Sequence, residues 1–358
     1  MSQAQQQKPN SAFTTKSNQP LTMQNIVRQE ALHTFIFKQG LIGELTHLAK
    51  DMSNRQYYRL LVGNETFVVM DAPPPEKPAQ FVLLSDFLLE QGLRAPKVLS
   101  FDSDNGFILL EDFGDQTFSY ILNNTTKDQD ALEENLYLTA TKVLQTLSGC
   151  KRPAGVDDYS VIKLLAEVEI FIDWYWQYAK GVQAPSLVKQ PFMRLWEDLF
   201  NALPETPNTL VLRDFHVDNL MITDENLSIK SCGVLDFQDA LWGSVVYDFV
   251  SLLEDARRDV SAKTVHLCSQ QFLSNYPPEL HEALELTAKV LAAARHVKVI
   301  GVFTRYAIRQ HNDSKCVHLP RLWNYLEQHF KDPIFAPIAE WFSMYFPISA
   351  QHTITQQL

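Results

Sequence analysis

The chain has 358 residues, of which 46% are hydrophobic and 20% charged, and its formal net charge is −11. This length and composition predict a globular protein of two lobes or domains with a large core. The acidic balance disfavours nucleic acid and anionic membranes as partners, and no apolar run is long enough for a membrane span. Four scattered cysteines indicate a reducing compartment. We therefore expect a cytoplasmic protein, and we expect it to be a monomer.

The N-terminal third has the pattern of a tail, a helix and a sheet. Residues 1–20 are rich in Gln, Ser, Asn and Thr, which is typical of a disordered tail. Apolar residues at helical spacing then predict a helix over 24–38. Alternating patterns predict strands over 45–49, 57–62, 66–70, 97–101 and 106–110. An amphipathic pattern predicts a second helix over 79–91. Between the third strand and that helix, four prolines in residues 72–78 require a loop.

From about residue 116 the periodicity is mainly helical. The apolar spacing predicts long helices over 130–148, 159–180 and 185–203. Further helices are expected from Val246 onward and over 263–275, 279–311 and 320–329. These helices frame one stretch of short strands and polar loops in the middle of the chain.

That stretch reads Leu210-Val-Leu-Arg-Asp-Phe-His-Val-Asp-Asn-Leu-Met-Ile222, and Gly233-Val-Leu-Asp-Phe-Gln-Asp239 follows it. Short strands are predicted over 210–212, 220–222 and 233–235. Phosphoryl transfer needs a carboxylate to orient the attacking hydroxyl and oxygen ligands to hold Mg²⁺. Asp214 can be that catalytic base, with Asn219 and Asp236 as metal ligands. Asp and Asn are common in turns, so one such loop alone would indicate an ordinary structural loop. The ordered pair of loops favours a kinase.

These motifs resemble the aminoglycoside phosphotransferase branch of the kinase-like fold. Residues 213–219 are similar to its catalytic loop and residues 235–239 to its metal loop, and Asp248 fits a structural carboxylate of the branch. The resemblance implies a bilobal, protein-kinase-like α+β fold with ATP and Mg²⁺ in the cleft. It divides the chain into a disordered tail (1–20), a nucleotide-binding N-lobe with a small antiparallel sheet (21–112), a larger, mainly helical C-lobe (113–346) and a C-terminal tail (347–358).

The resemblance also assigns nucleotide-binding residues. The connection over 51–56 is expected to lie over the phosphates, with Ser53 facing them. The third strand ends in Met70-Asp71, where most kinases have a phosphate-binding Lys. Arg55 is therefore the first candidate for the missing cation and Arg59 the second; surface solvation or a local ion pair is the alternative for both. At the hinge, the Glu111 carbonyl and the Phe113 N–H are candidates for binding adenine.

Three stretches resemble a narrower group, the anomeric kinases of cell-wall amino sugars, which also lack the strand Lys. They are residues 51–59, 70–74 and 167–175. The resemblance implies ATP-dependent phosphorylation of a small sugar, foremost the anomeric hydroxyl of N-acetylmuramate or N-acetylglucosamine. An aminoglycoside or other amino-alcohol kinase is one alternative. A nucleotide-binding pseudokinase or scaffold is another.

Five residues are candidates for contact with the sugar. Glu169 can bind two hydroxyls and Trp174 can stack on a sugar face, with solvation and core packing as the alternatives. Asp239 and Trp242 are expected on the acceptor side of the metal loop. His216 can contact substrate or hold the catalytic loop by a hydrogen bond, and the second role is favoured.

Overall fold

The computed structural model describes residues 23–48, 54–224 and 226–347, so Ser53, the tail over 1–20 and residues 348–358 lie outside it. Its N-terminal part is built on an antiparallel sheet in the strand order β1-β2-β3-β5-β4. The strands are β1 Glu44–His47, β2 Gln56–Val62, β3 Glu65–Asp71, β4 Val98–Asp102 and β5 Phe107–Glu111.

Each face of this sheet is covered by one helix because its strands alternate buried side chains between the two faces. Helix α1 (Met23–Lys38) covers the first face, in a cluster that includes Leu32, Phe35, Ile36, Leu60, Val69 and Phe107. Helix α2 (Pro78–Glu90) packs in the main core with the second face, through Phe81, Leu84, Leu88, Met70 and Ile108.

The C-terminal part is mainly helical and surrounds α10, which is 30 residues long. Helices α5, α8 and α11 and a π-helical turn all pack against α10. The helices are α3 Phe118–Asn124, α4 Gln129–Ser148, α5 Val161–Ile170, α6 Trp176–Lys180, α7 Ser186–Asn201, α8 Val246–Leu253, α9 Ala262–Leu273, α10 His281–Gln310, α11 Leu319–His329 and α12 Ala336–Tyr345.

One predicted helix, over 159–180, is divided in the structure. It consists of α5, a π-helical turn over Phe171–Tyr175, and α6. Gly301 of α10 lies against the start of this turn, where an added Cβ would come within 2.6 Å of the main-chain atoms of Ile170 and Phe171. A glycine is required for such a close approach of two backbones.

Two short hairpin ladders carry the polar loops of the central stretch. Strand β7 (Leu220–Ile222) pairs with β8 (Cys232–Val234), and β6 (Asn208–Val211) pairs with β9 (Leu241–Ser244). Strands β6, β7 and β8 agree with the predicted strands within two residues, whereas no predicted element corresponds to β9 or α12. None of the described helices is long and apolar enough to cross a membrane.

Candidate active site

The loop from Leu212 to Asn219 connects β6 to β7, and one buried carboxylate fixes its start. Asp248, in the first turn of α8, accepts hydrogen bonds from the main-chain N–H groups of Leu212 at 2.5 Å and Arg213 at 2.9 Å. Burial raises the pKa of Asp248 to about 7; the two N–H donors oppose this rise, and the charge of Asp214 adds to it. Asp248 thus anchors the backbone directly before Asp214.

Hydrogen bonds within the loop orient Asn219. Its side-chain amide donates to the main-chain carbonyl of Asp214 at 2.9 Å, and its main-chain N–H donates to the carbonyl of His216 at 2.9 Å. Because the amide nitrogen is used inside the loop, the amide oxygen is the group that Asn219 can offer to a cation.

His216 packs inside the protein at the back of the loop. It is only 4% exposed, and its Nε2 lies 3.4 Å from the side-chain nitrogen of Asn219. Burial, and then the charge of Arg257, lowers the pKa of His216 to about 3, although Asp214 opposes this shift. The imidazole is therefore neutral. Its buried position supports a role in holding the loop rather than a role in contacting substrate.

Asp236 follows β8 in the left-handed conformation, with φ of 57°. Gln238 donates to its carboxylate at 2.6 Å, and the N–H of Leu235 donates to the main-chain carbonyl of Asn219 at 2.9 Å. The side chains of Asn219 and Asp236 line one cleft. An amide oxygen and a carboxylate in the same cleft are hard oxygen ligands of the kind that Mg²⁺ binds.

This cleft has a volume of about 520 Å³ and lies between the five-stranded sheet and the two loops. Such a volume is within the usual range for small-molecule sites. Aliphatic side chains from both sides line it, namely Leu48, Val68, Leu110, Met221 and Leu235. The cleft therefore offers apolar walls to a flat ring, with the two oxygen ligands in the same space.

The hinge segment at the end of β5 is fixed by Arg94. The guanidinium donates to both carboxylate oxygens of Glu111, at 2.6 and 2.7 Å, and these bonds lower the pKa of that carboxyl. The same guanidinium lies 4.5 Å from the ring centre of Phe113. On the hairpin side, a Cβ at Gly233 would approach that ring to 2.8 Å. The Glu111 side chain is thus engaged, and binding of adenine through the main chain of Glu111 and Phe113 stays a prediction.

Met70 occupies the strand position at which most kinases have a Lys. It lies two residues after Val68, so both side chains are on the face of β3 that meets the cleft. Met70 is 1% exposed and packs in the core with Phe81 of α2. Asp71 points to the other face, where Arg28 donates to its carboxylate at 2.6 Å. A cation for phosphate must therefore come from elsewhere.

Arg55 extends from the sheet toward the metal loop, whereas Arg59 is held at the hinge. The Arg55 guanidinium lies 3.5 Å from the carboxylates of Asp236 and Asp239, and its side chain is 8% exposed. Arg59 lines the cleft but pairs with Asp112 at 2.6 Å and Asp115 at 2.9 Å. Arg55 also lies 3.6 Å from the carboxylate of Glu76, so both arginines have carboxylate neighbours, and which of them binds phosphate stays a prediction.

A second cavity, of about 410 Å³, contains Asp239 and opens next to the catalytic loop. Its charged lining consists of three cations and three carboxylates: Lys77, Lys163, Arg213, Asp157, Glu167 and Asp239. Lys163 pairs with Asp157 at 2.9 Å, and Arg213 pairs with Glu167. The cavity is therefore polar without an excess of either charge, and we call it the acceptor cavity.

Besides His216, three residues predicted to contact the sugar are absent from the lining of this cavity. Trp242 pairs with Leu210 in the β6–β9 ladder, and its side chain lines a different cavity, of about 580 Å³. Glu169 forms an ion pair with Lys189 of α7 at 2.9 Å. Trp174 lies under the guanidinium of Arg309, 4.6 Å from its ring centre. The structure thus brings Asp239 close to the catalytic loop and leaves Trp242, Glu169 and Trp174 outside the acceptor cavity.

The carboxylate of α5 that reaches the catalytic loop is that of Glu167. Two residues along a helix point roughly in opposite directions, so Glu167 and Glu169 occupy different faces. Glu167 follows Leu164 by three residues and precedes Phe171 by four, which places it on the buried stripe of α5. The same periodicity that predicted the helix could therefore have indicated Glu167.

Comparison with known proteins identifies the family. The model of the phosphotransferase enzyme family matches residues 44–295. The chain belongs to this family. A curated N-acetylmuramate/N-acetylglucosamine kinase of Pseudomonas aeruginosa is 32% identical over 292 residues, which cover 79% of this chain and 83% of that protein. A kinase of the same name from Neisseria meningitidis is 31% identical over 293 residues, covering 80% and 85%.

Solved structures show which fold this phosphotransferase has. A choline/ethanolamine kinase family protein from Mesorhizobium loti superposes with a TM-score of 0.60 at 11% identity, covering 90% of this chain and 100% of that one. The GDP complex of aminoglycoside 2'-phosphotransferase-IIIa gives a TM-score of 0.58 at 17% identity, covering 84% and 99%. The predicted kinase-like α+β fold, with an antiparallel sheet followed by a helical region, is confirmed.

Proposed function

We propose that this phosphotransferase transfers the terminal phosphoryl group of ATP to the anomeric hydroxyl of N-acetylmuramate or N-acetylglucosamine. The observation that carries the proposal is that Asn219 and Asp236 line one cleft and that Asn219 is hydrogen-bonded to the main chain of Asp214, in a chain whose curated relatives are named kinases of these two sugars. We further propose that it acts as a monomer in the cytoplasm, in keeping with its four free cysteines.

The proposed mechanism uses the two loops for positioning and charge. Asp214 orients the sugar hydroxyl and accepts its proton while the hydroxyl oxygen bonds to the terminal phosphorus and ADP leaves. Asn219 and Asp236 would hold Mg²⁺, which when bound neutralises phosphate charge. Arg55 would add a second positive charge beside the phosphates. In such transfers, alignment and charge neutralisation supply most of the rate enhancement.

The acceptor cavity helps to distinguish the sugar from an aminoglycoside. An aminoglycoside carries several ammonium groups, so its site is expected to have surplus carboxylates. Here Lys163 neutralises Asp157, and Arg213 neutralises Glu167. Lys77 also lines the cavity and offsets the charge of Asp239. This balance favours a neutral N-acetyl sugar or one that bears a single carboxylate.

Phosphorus NMR of the products tests the proposed function. We expect a new sugar-1-phosphate signal when the protein and MgATP are incubated with N-acetylmuramate or N-acetylglucosamine, and no product with kanamycin or choline. Efficient phosphorylation of kanamycin or choline without turnover of the sugars would reject the proposal. Nucleotide binding without transfer to any acceptor would favour a pseudokinase.

Substitution of Arg55 tests the origin of the phosphate-binding cation. We expect R55M to raise the KM for ATP by about tenfold or more, because a charge-assisted hydrogen bond contributes ~1.5–3 kcal/mol and tenfold equals ~1.4 kcal/mol. R55K keeps the charge and should lose less. Steady-state kinetics with ATP as the varied substrate give the result. A larger increase in KM for R59M than for R55M would transfer the role to Arg59.

A further inference from the structure

All four hydrogen-bonding positions of the Glu167 carboxylate are used inside the protein. One oxygen accepts from Arg213 and pairs with Lys298 of α10 at 3.0 Å. The other accepts from the hydroxyls of Tyr159 and of Tyr247, the latter at 3.5 Å. A carboxylate has about four lone-pair sites. Although Glu167 lines the acceptor cavity, it therefore has no site left for a sugar hydroxyl.

The charges around Glu167 keep it ionised. Burial opposes ionisation, but Lys298 and Arg213 outweigh it and hold the pKa of Glu167 at about 2. The three groups together carry one net positive charge. The partners of Glu167 come from different helices of the C-terminal region, since Tyr247 lies on α8 and Lys298 on α10. Glu167 thus connects the catalytic loop to two core helices.

Arg213 has a backbone that needs such a connection. Its φ is 74°, in the left-handed region that residues other than glycine rarely adopt, at a cost of roughly 1–3 kcal/mol. Three anchors hold it there. Asp248 accepts from its N–H at 2.9 Å, the main-chain carbonyl of Asp239 accepts from its guanidinium at 3.2 Å, and Glu167 accepts from the same guanidinium.

We propose that Glu167 is a positioning residue for phosphoryl transfer, holding Arg213 in its strained conformation so that Asp214 points at the acceptor hydroxyl. The inference rests on the proposed function. Arg213 directly precedes Asp214 in the chain, so relaxation of its φ would change the direction in which the Asp214 side chain points. The side chain of Glu167 acts through Arg213 without touching either substrate.

Kinetics of E167Q test this role. Glutamine has the same size but no charge, and only its one amide oxygen can accept, so its hold on Arg213 is weakened. We expect kcat to fall by ~10- to 100-fold, the scale on which a displacement of about 1 Å affects catalysis. The KM values for ATP and for N-acetylglucosamine, which carries no charge, should change by less than about threefold, because neither ligand contacts Glu167. E167D keeps the charge and should recover part of kcat.

A matched carboxylate distinguishes positioning from general loss of stability. Glu133 of α4 is also buried and accepts from Arg258, from the N–H of Ser261 and from the hydroxyl of Thr264. E133Q should lower the melting temperature by an amount comparable to E167Q while kcat stays within about twofold of the wild type. Equal losses of kcat in E133Q and E167Q would overturn the inference.

A double-mutant cycle shows whether Glu167 acts through Arg213. If it does, R213M and E167Q/R213M should have the same kcat within about twofold, because the second substitution removes nothing further. Additive losses would contradict the inference, and so would a raised sugar KM in E167Q at unchanged kcat, which indicates direct binding. Wild-type protein that ignores both amino sugars would reject the proposed function instead, so the two failures are distinguishable.

Discussion

We expect D214N to reduce kcat by on the order of 10²- to 10⁴-fold while nucleotide affinity stays within about threefold of the wild type. General-base catalysis contributes a factor of that size, and an amide cannot accept the proton of the attacking hydroxyl. The loop should keep its shape, because Asn219 and the anchor Asp248 contact main-chain groups of the loop and not the Asp214 side chain. Single-turnover assays and calorimetric titration with nucleotide provide the two measurements.

Asp218 in the same loop supplies the control for D214N. Its carboxylate is held by an ion pair with Arg257 at 2.8 Å. D218N removes one loop charge, as D214N does, so it reports the effect of charge alone. We expect it to keep more than a third of the wild-type kcat. If D214N retained kcat within tenfold of the wild type, Asp214 would not be the base.

The parts of the fold that sequence predicted well depend on local patterns. The three strands that flank Asp214 and Asp236, namely β6, β7 and β8, are short apolar runs next to polar turns. Each was predicted within two residues of its bounds in the structure. Strand β9 was missed because Leu241–Ser244 contains a glycine and forms its ladder with β6, which lies about 30 residues earlier. Pairing over such a distance leaves no signal in a short window. The π-helical turn depends likewise on the packing of Gly301 against α5.

The same difference between local patterns and distant contacts applies to the candidate active-site residues. Asp214, Asn219 and Asp236 are candidates because their chemistry and spacing are visible in the sequence, and their roles stay predictions. The sequence cannot separate Arg55 from Arg59, because the neighbours of each lie far along the chain: Arg55 lies near Asp236, and Arg59 pairs with residues of the hinge. Periodicity could have placed Glu167 on the buried face of α5, but only the structure shows that this face meets Arg213.

Substitution of Asp236 should separate metal binding from proton transfer. Its φ of 57° is left-handed, and Asn tolerates this conformation about as well as Asp. D236N therefore keeps the backbone, and its amide oxygen can still accept from Gln238, which donates at 2.6 Å in the wild type. The loss is one negative charge in the cleft. We expect kcat to fall by on the order of 10²-fold or more, because both Mg²⁺ and the phosphates lose their alignment.

Nucleotide titrations with and without Mg²⁺ give the decisive comparison for D236N. In the wild type, Mg²⁺ should strengthen ATP binding, because the carboxylate of Asp236 and the phosphates would share the ion. In D236N this enhancement should shrink by about tenfold, whereas affinity without Mg²⁺ should hold or rise, since a carboxylate no longer repels the phosphates. D239N removes a carboxylate at the same 3.5 Å distance from Arg55 and should keep the Mg²⁺ enhancement. An undiminished enhancement in D236N would mean that the ion is held elsewhere and that Asp236 acts on Arg55 alone.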